Sequence, residues 1–326
     1  MSGIALIGQG YMARTHAAAI TALGRGDDIR WLIAPRPRAD LALAPAARFS
    51  NDLDDALRDP AVEVVSICTP TPSHAEIASR ALRAGKHVLL EKPVTLDPAE
   101  GEQLARLAEV AQRVLMVAQV VRFFPGYALL RSIAGGGALG RLRSVRATRA
   151  LTRPSWAPWW DDESISGGVP VDFAIHDYDQ ANLFLGEPIA VLARQLAHEG
   201  PIEATIEYAD SGIAQVLSYP YLPEGAPFSS AIELLGDQGT ASHRLLLDSA
   251  PTDAVGQSEV VVATPAGVKR IPVEARDAYQ LEIEYFLACV AEQRNPAESP
   301  IDSAISALRV ALAVRESLRS GARVAL

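Results

Sequence analysis

Ile4-Ala5-Leu6-Ile7 runs straight into Gly8-Gln9-Gly10-Tyr11-Met12-Ala13, and then into Arg14-Thr15-His16-Ala17-Ala18-Ala19-Ile20. A short apolar strand, a Gly-rich turn and a helix in that order form a dinucleotide-binding fingerprint. Gly8 permits the tight turn, Gly10 lets backbone approach a pyrophosphate, and Ala13 is small enough for the helix to pack on the strand. The start of the helix then offers unpaired N–H groups and a positive dipole end to phosphate. A Gly-containing turn between any strand and helix looks the same locally. Its place at the end of the first strand favours the nucleotide reading.

Outward from this unit the alternation continues. Apolar runs at 29–33, 62–68, 87–90 and 114–119 read as further strands, separated by helical stretches at 11–22, from 52, at 75–84 and from 97. Ser73 and Glu76 are spaced as a capping box for the helix at 75–84, and the Pro-rich loop 69–72 before it is expected to be non-helical. Strands alternating with helices predict a doubly wound, parallel sheet. After about residue 121 the rhythm changes to extended segments at 142–153, 189–196, 202–208, 212–218, 230–235 and 259–264, with one helical stretch at 172–185. Helices at 279–293 and 302–319 close the chain. The expectation is an α/β protein: a Rossmann domain over 1–121, then an α+β domain over 122–326 with an open, mostly antiparallel sheet. The C-terminal helices are placed so that they can pack back on the first domain.

The composition, 326 residues with 49% hydrophobic and 21% charged, is that of a globular protein with ample core. A net charge of −9 argues against nucleic acid or an anionic membrane as partner. Arg141, Arg143, Arg146, Arg149 and Arg153 form a local basic run, read first as a solvated strand face and second as an anion-guiding edge. Cys68 and Cys289 both fall in apolar patterns, so neither a disulfide framework nor a metal site is expected. The chain enters a structural strand at once, and no apolar run approaches 18 residues, which together point to a cytoplasmic protein.

Ligands of open α/β sheets bind beyond the carboxyl ends of the strands. Those ends deliver Gly8–Ala13, the 69–72 loop, Lys92 before Pro93, and Gln119 with Arg122. Near a nicotinamide's positive charge Lys92 would have a lowered pKa and could relay a proton; it could equally be a surface lysine. The second constellation is 166–179. Asp172 and His176 stand four apart, expected on one helical face, where an acid beside an imidazole can supply a general base. A helix-start charge beside a satisfied histidine is the blander alternative. Asp172, His176 and Asp179 could in principle ligate a metal, but no His or Cys cluster supports one. Trp156, Trp159 and Trp160 are either an anchor or a water-excluding lid.

Taken together these motifs resemble the Gfo/Idh/MocA oxidoreductases (glucose–fructose oxidoreductase, inositol dehydrogenase and relatives). The resemblance rests on Gly8–Ala13 with His16, Cys68-Thr69-Pro70-Thr71-Pro72-Ser73-His74, the strand ending Glu91-Lys92-Pro93, and Gly167-Gly168 through Asp172, His176 and Asp179. Gly236-Asp237-Gln238-Gly239-Thr240 adds a second-domain match. It implies hydride transfer between a nicotinamide and a C–OH or C=O carbon of a sugar, cyclitol or related molecule, and a homodimer or homotetramer built on the second sheet. It implies cofactor contacts from Gly8, Gln9, Gly10, Tyr11, Met12, Thr69, Pro70, His74, Glu91, Lys92 and Gln119. Lys92, Asp172 and His176 match the catalytic set, and specificity is expected from Arg122, Arg153, Trp156 and Trp160. Pro35 stands about where a ribose-binding acid would be, and Arg36 and Arg38 follow, so NADP(H) is expected over NAD(H). Two alternatives share this architecture: a glycosidase that retains its NAD, and a cofactor-binding regulator without catalysis.

Overall fold

The computed structural model describes residues 3–36, 44, 46–153, 159–247 and 258–326. Two compact units emerge, one of Met1–Val120 with Tyr279–Ile305, the other of Val121–Ala278 with Ser306–Leu326.

The first unit begins β1 (Gly3–Ile7), α1 (Tyr11–Ala22), β2 (Ile29–Ile33), β3 (Arg48–Ser50), α2 (Leu53–Arg58) and β4 (Val62–Ile67), and continues α3 (His74–Arg83), β5 (His87–Glu91), α4 (Pro98–Ala111) and β6 (Leu115–Ala118). Its strands form one sheet in the order β3-β2-β1-β4-β5-β6, every pair parallel. All five residues of β1 are buried, as the unbroken apolar run requires of a strand covered on both faces. α1 buries Ala13, His16, Ala17 and Ile20, one face at helical spacing. Asp97 caps α4 by accepting from the Ala99 N–H at 2.9 Å.

Two local expectations are corrected here. Ser73 does not close a capping box. It sits in helical backbone, and its hydroxyl donates to Thr69 Oγ1 (2.7 Å) and Pro70 O (2.8 Å) instead. The Pro-rich loop is not wholly irregular, since Thr71–Ser73 forms one 3₁₀ turn. β3 was not anticipated because it is three residues long, at the sheet edge and largely exposed, without the apolar run that marks its neighbours.

The second unit contains α5 (Pro125–Gly135), β7 (Leu142–Thr152), α6 (Glu163–Ser166), α7 (Val169–Asp172), α8 (Ile175–Leu185), β8 (Pro188–Arg194), β9 (Ile202–Tyr208), β10 (Ile213–Leu222), β11 (Phe228–Gly236), β12 (Thr240–Leu247), β13 (Ser258–Thr264) and β14 (Gly267–Val273). The chain ends in α9 (Ala278–Glu292), which belongs to the first unit, α10 (Ile301–Ser320) and β15 (Val324–Ala325). The second sheet runs β14-β13-β12-β11-β7-β10-β9-β8-β15 and is antiparallel except for the β7–β10 pair. β12, β14 and β15 were not expected. β12 and β14 interleave His, Arg, Lys and Ser with their apolar residues, and β15 is only two residues long.

The expected helix at 172–185 is interrupted. Phe173 and Ala174 both donate to Val169 O, at 3.0 Å each, so the hydrogen-bond ladder slips by one residue before α8 begins. Asp172 therefore ends one helical turn and His176 opens the next, a correction to the single continuous face expected of them. The basic run also divides: Arg149 is buried, whereas Arg141, Arg143 and Arg146 pair at the surface with Asp210, Asp237 and Glu233. Both cysteines are free and buried. Among the described residues no helix is long and apolar enough to cross a membrane.

Candidate active site

In the first unit the strand ends converge on the fingerprint. Gly8 has φ +109°, and a Cβ there would lie 2.5 Å from Cys68 O, so only glycine allows the turn to pass under the end of β4. A Cβ on Gly10 would meet nothing within 4 Å. Gly10 is the N-cap of α1, so this open side of the turn lies at the positive end of the helix dipole. Gln119, just beyond β6, is 1% exposed, yet among the described residues neither atom of its amide has a partner. An open glycine cradle at a helix start and a buried, unsatisfied amide beyond β6, three strands across the same sheet, fit a dinucleotide.

Behind this surface lies a second layer. His74 is buried and sits 2.9 Å from both Thr69 O and Pro93 O, tying the loop after β4 to the loop after β5. Burial lowers its pKa, outweighing the pull of those carbonyls and of Glu91. Glu91 is turned inward: Oε1 meets His16 Nε2 at 3.0 Å, and Oε2 accepts from the Lys92 backbone N–H at 3.1 Å. His16 Nδ1 lies 2.8 Å from Ser66 Oγ and 3.5 Å from Cys68 Sγ. Burial opposes a charge on His16, but Cys68 and Glu91 together outweigh it and hold the imidazole well above its ordinary pKa. Lys92 is half-buried, and the Lys92–Pro93 peptide is cis. Gln9, Tyr11 and Met12 are half-buried beside the turn, Thr69 is half-buried and Pro70 exposed. Arg36 is exposed just past the end of β2; Arg38 lies outside the described residues.

In the second unit two buried ion pairs fix α8. Arg149 of β7 donates to Asp177 at 2.7 and 2.9 Å, and Arg122 donates to Asp179 at 2.7 and 2.6 Å. From 171 to 181 every residue is buried except Asp172 and His176, which stay partly accessible. Both pairs hold α8 just beyond His176, while Asp172 at the end of α7 and His176 in the first turn of α8 keep part of their surface accessible.

Over residues 2–119 the chain matches the Gfo/Idh/MocA family's NAD-binding Rossmann fold, and over 133–326 its C-terminal alpha/beta domain. The chain belongs to the Gfo/Idh/MocA oxidoreductase family. Among relatives, scyllo-inositol 2-dehydrogenase (NAD(+)) of Bacillus subtilis is 28% identical, across 86% of this chain and 82% of its own length. The NADP(+) scyllo-inositol 2-dehydrogenase of the same organism is 31% identical, across 54% of this chain and 50% of its own. The crystal structure of GenD2 from gentamicin A biosynthesis, in complex with NAD, superposes with TM-score 0.84 at 28% identity, covering 100% of this chain and 96% of that one.

Within this oxidoreductase the other expected residues fall in different settings. Arg122, expected at the substrate, is 2% exposed and bidentate on Asp179. Arg153 is about half exposed and pairs with Asp161 and Glu199. Trp160 is 5% exposed and packs edge-on against Phe173, ring centroids 6.2 Å apart, with Trp159 and Leu151 around it. It is a packed core residue. Trp156 lies outside the described residues. Among the described residues no group of three or more His, Cys, Asp or Glu is placed to hold a metal.

Sequence reasoning missed the partners. Arg149 reads as part of a solvated face, Asp179 as a motif residue and candidate metal ligand, and Asp177 carries no role there. Glu282 was not singled out, although it shares the i, i+4, i+7 stripe of Phe286 and Cys289, which marks a buried position.

Proposed function

We propose that this oxidoreductase is an NADP(H)-preferring dehydrogenase or reductase of a small polyhydroxylated molecule, a sugar, cyclitol or related compound. The observation that carries the reading is the accessibility of Asp172 and His176 alone within the buried run 171–181. Gly8, Gln9, Gly10, Tyr11 and Met12 would hold the cofactor's phosphates, with Thr69 and Pro70 beyond the adjacent β4 and Gln119 beyond β6. A nicotinamide held there would supply hydride transfer to or from the substrate carbon. His176 takes the hydroxyl proton in oxidation and gives it back in reduction. Asp172 accepts a hydrogen bond from a neighbouring hydroxyl and fixes which carbon is presented. Lys92 supports the developing charge on the reacting oxygen. Arg122 acts through Asp179, by holding α8, and Arg153 with the 154–160 loop shapes specificity.

The cofactor preference is supported by exposed Arg36 beyond Pro35, where no acid stands to take a ribose hydroxyl. The catalytic unit is the first 121 residues for cofactor and the remainder for substrate and self-association. Ile213 and Leu217 on β10, 42% and 38% exposed, support a homodimer or homotetramer through that sheet. Two free thiols suit a reducing cytoplasm.

Nicotinamide absorbance, followed over a panel of sugars, cyclitols and their keto forms with both cofactors, tests the proposal. Turnover with a member of the panel supports it. A cofactor that stays bound without net turnover, while a glycoside is cleaved, points to the NAD-retaining glycosidase. Cofactor binding with neither activity points to a regulator.

A further inference from the structure

Helix α9 carries Glu282 into the interior of the first unit, on the same buried stripe as Tyr279, Phe286 and Cys289. Its side chain is 0% exposed, and among the described residues neither carboxyl oxygen has a hydrogen-bond partner. Burial pushes its carboxyl well above the ordinary range; Glu91 at the end of β5 raises it further, and His16 of α1 pulls it back. Those two already form a pair at 3.0 Å. Beyond them stand Ser66 and Cys68, both on His16, and the Lys92 N–H on Glu91.

This cluster holds two carboxyl groups and one imidazole. One imidazolium balances one carboxylate, so a second buried anion would stand uncompensated. The proton must then go to whichever carboxyl is less well served by donors. Glu91 has two, His16 Nε2 and the Lys92 N–H, and both favour its ionised form. Glu282 has none among the described residues.

We propose that Glu282 is kept as a neutral carboxylic acid sharing one proton balance with His16 and Glu91, and that it is a positioning residue for Lys92. While Glu282 stays neutral, His16 remains the undivided partner of Glu91, and Glu91 holds the Lys92 backbone. Once ionised, Glu282 competes for the His16 charge, the pair loosens, and the end of β5 loses its anchor. The proton assignment stands apart from the role proposed above for Lys92; only the consequence for turnover rests on that role.

Infrared difference spectra of ¹³C-glutamate-labelled protein test the assignment. At neutral pH the wild type should show the C=O stretch of a protonated carboxyl, absent from Glu282→Gln. In Glu91→Gln, which keeps Glu282, the band should also vanish, because Glu282 becomes the counter-ion of His16. No Glu282-dependent band in the wild type overturns neutrality, and a band that survives Glu91→Gln overturns the sharing. A measurement on the wild type alone covers a variant that does not fold: the melting temperature should fall with rising pH while the band persists, and this contribution to the fall should end where the band fades. A band that persists without any such fall overturns the buried neutral acid. Glu282→Gln, neutral at every pH, should keep its oxidation turnover at alkaline pH where the wild type declines; parallel alkaline declines in oxidation by the two overturn the positioning role. If no substrate is ever turned over, the infrared and melting results still decide the proton assignment.

Discussion

Arg122 and Asp179 meet at two points in the interior of the second unit, Nε to Oδ2 at 2.7 Å and Nη2 to Oδ1 at 2.6 Å, with side chains 2% and 1% exposed. A planar fork on a carboxylate, both out of water, stabilises only as long as both halves remain. Arg122→Ala should lower stability by about 3–5 kcal/mol, since it strands a buried carboxylate. Arg122→Lys should rescue little, because an ammonium cannot make the two-point contact. Chemical denaturation midpoints check both, and near-wild-type midpoints would remove the pair from the account of how α8 is held.

The two fingerprint glycines should fail in different ways. Gly8→Ala places a Cβ 2.5 Å from Cys68 O at a positive φ, so it should destabilise the first unit by on the order of 1–3 kcal/mol. Gly10→Ala meets nothing within 4 Å and should leave the melting temperature unchanged. Its methyl would nevertheless stand where the pyrophosphate must approach, so cofactor affinity should fall on the order of tenfold or more. Calorimetric titration beside a melting curve separates the two effects.

Arg36→Ala addresses cofactor choice. A guanidinium on a 2′-phosphate contributes about 1.5–3 kcal/mol, so NADP(H) binding should weaken roughly ten- to a hundredfold while NAD(H) binding hardly moves. Equal losses for both cofactors, or tighter NAD(H) binding by the unmodified protein, would refute the NADP(H) preference.

His176→Gln should reduce turnover on the order of 10²–10⁴-fold and leave cofactor binding intact. In the unmodified enzyme, oxidation should rise with pH as the imidazole loses its proton, and reduction should fall over the same interval. A glutamine variant with full turnover and the same pH profile would take His176 out of the mechanism and leave Lys92 as the candidate.

Stability should peak on the slightly acid side of neutral. His74, His87 and His243 have folded-state pKa values lowered by burial from 6.5, so their contribution is lost as pH falls below that value. His16 is raised well above 6.5; its contribution is full below 6.5 and is lost as pH rises toward its folded value. Glu282 is also raised; its contribution is full below 4.5 and is lost as pH rises from there toward its folded value. His16→Asn should therefore have a lower melting temperature near neutrality and a flatter alkaline limb, read by melting curves across pH.

What the sequence determined by itself is local. The Ile4–Ile7 run, the glycines after it and the alternation of apolar strands with capped helices set the parallel sheet, because burial on two faces and a tight turn each demand particular residues in a row. Lys92, Asp172 and His176 could be picked out by motif for the same reason. Tertiary structure decided everything that depends on a partner distant in the chain. Arg149 reads as a surface charge and Arg122 as a substrate contact until Asp177 and Asp179 are placed against them, 28 and 57 positions away. The slip at Val169 breaks a helix whose periodicity reads as continuous, because the ladder there answers to packing more than to propensity. Glu282 lies on an apolar helix stripe in the sequence, but its protonation becomes an issue only because folding removes it from water, with Glu91 and His16 acting on its charge. Propensity and spacing act over a few residues, whereas desolvation and charge pairing act on whatever the fold brings together.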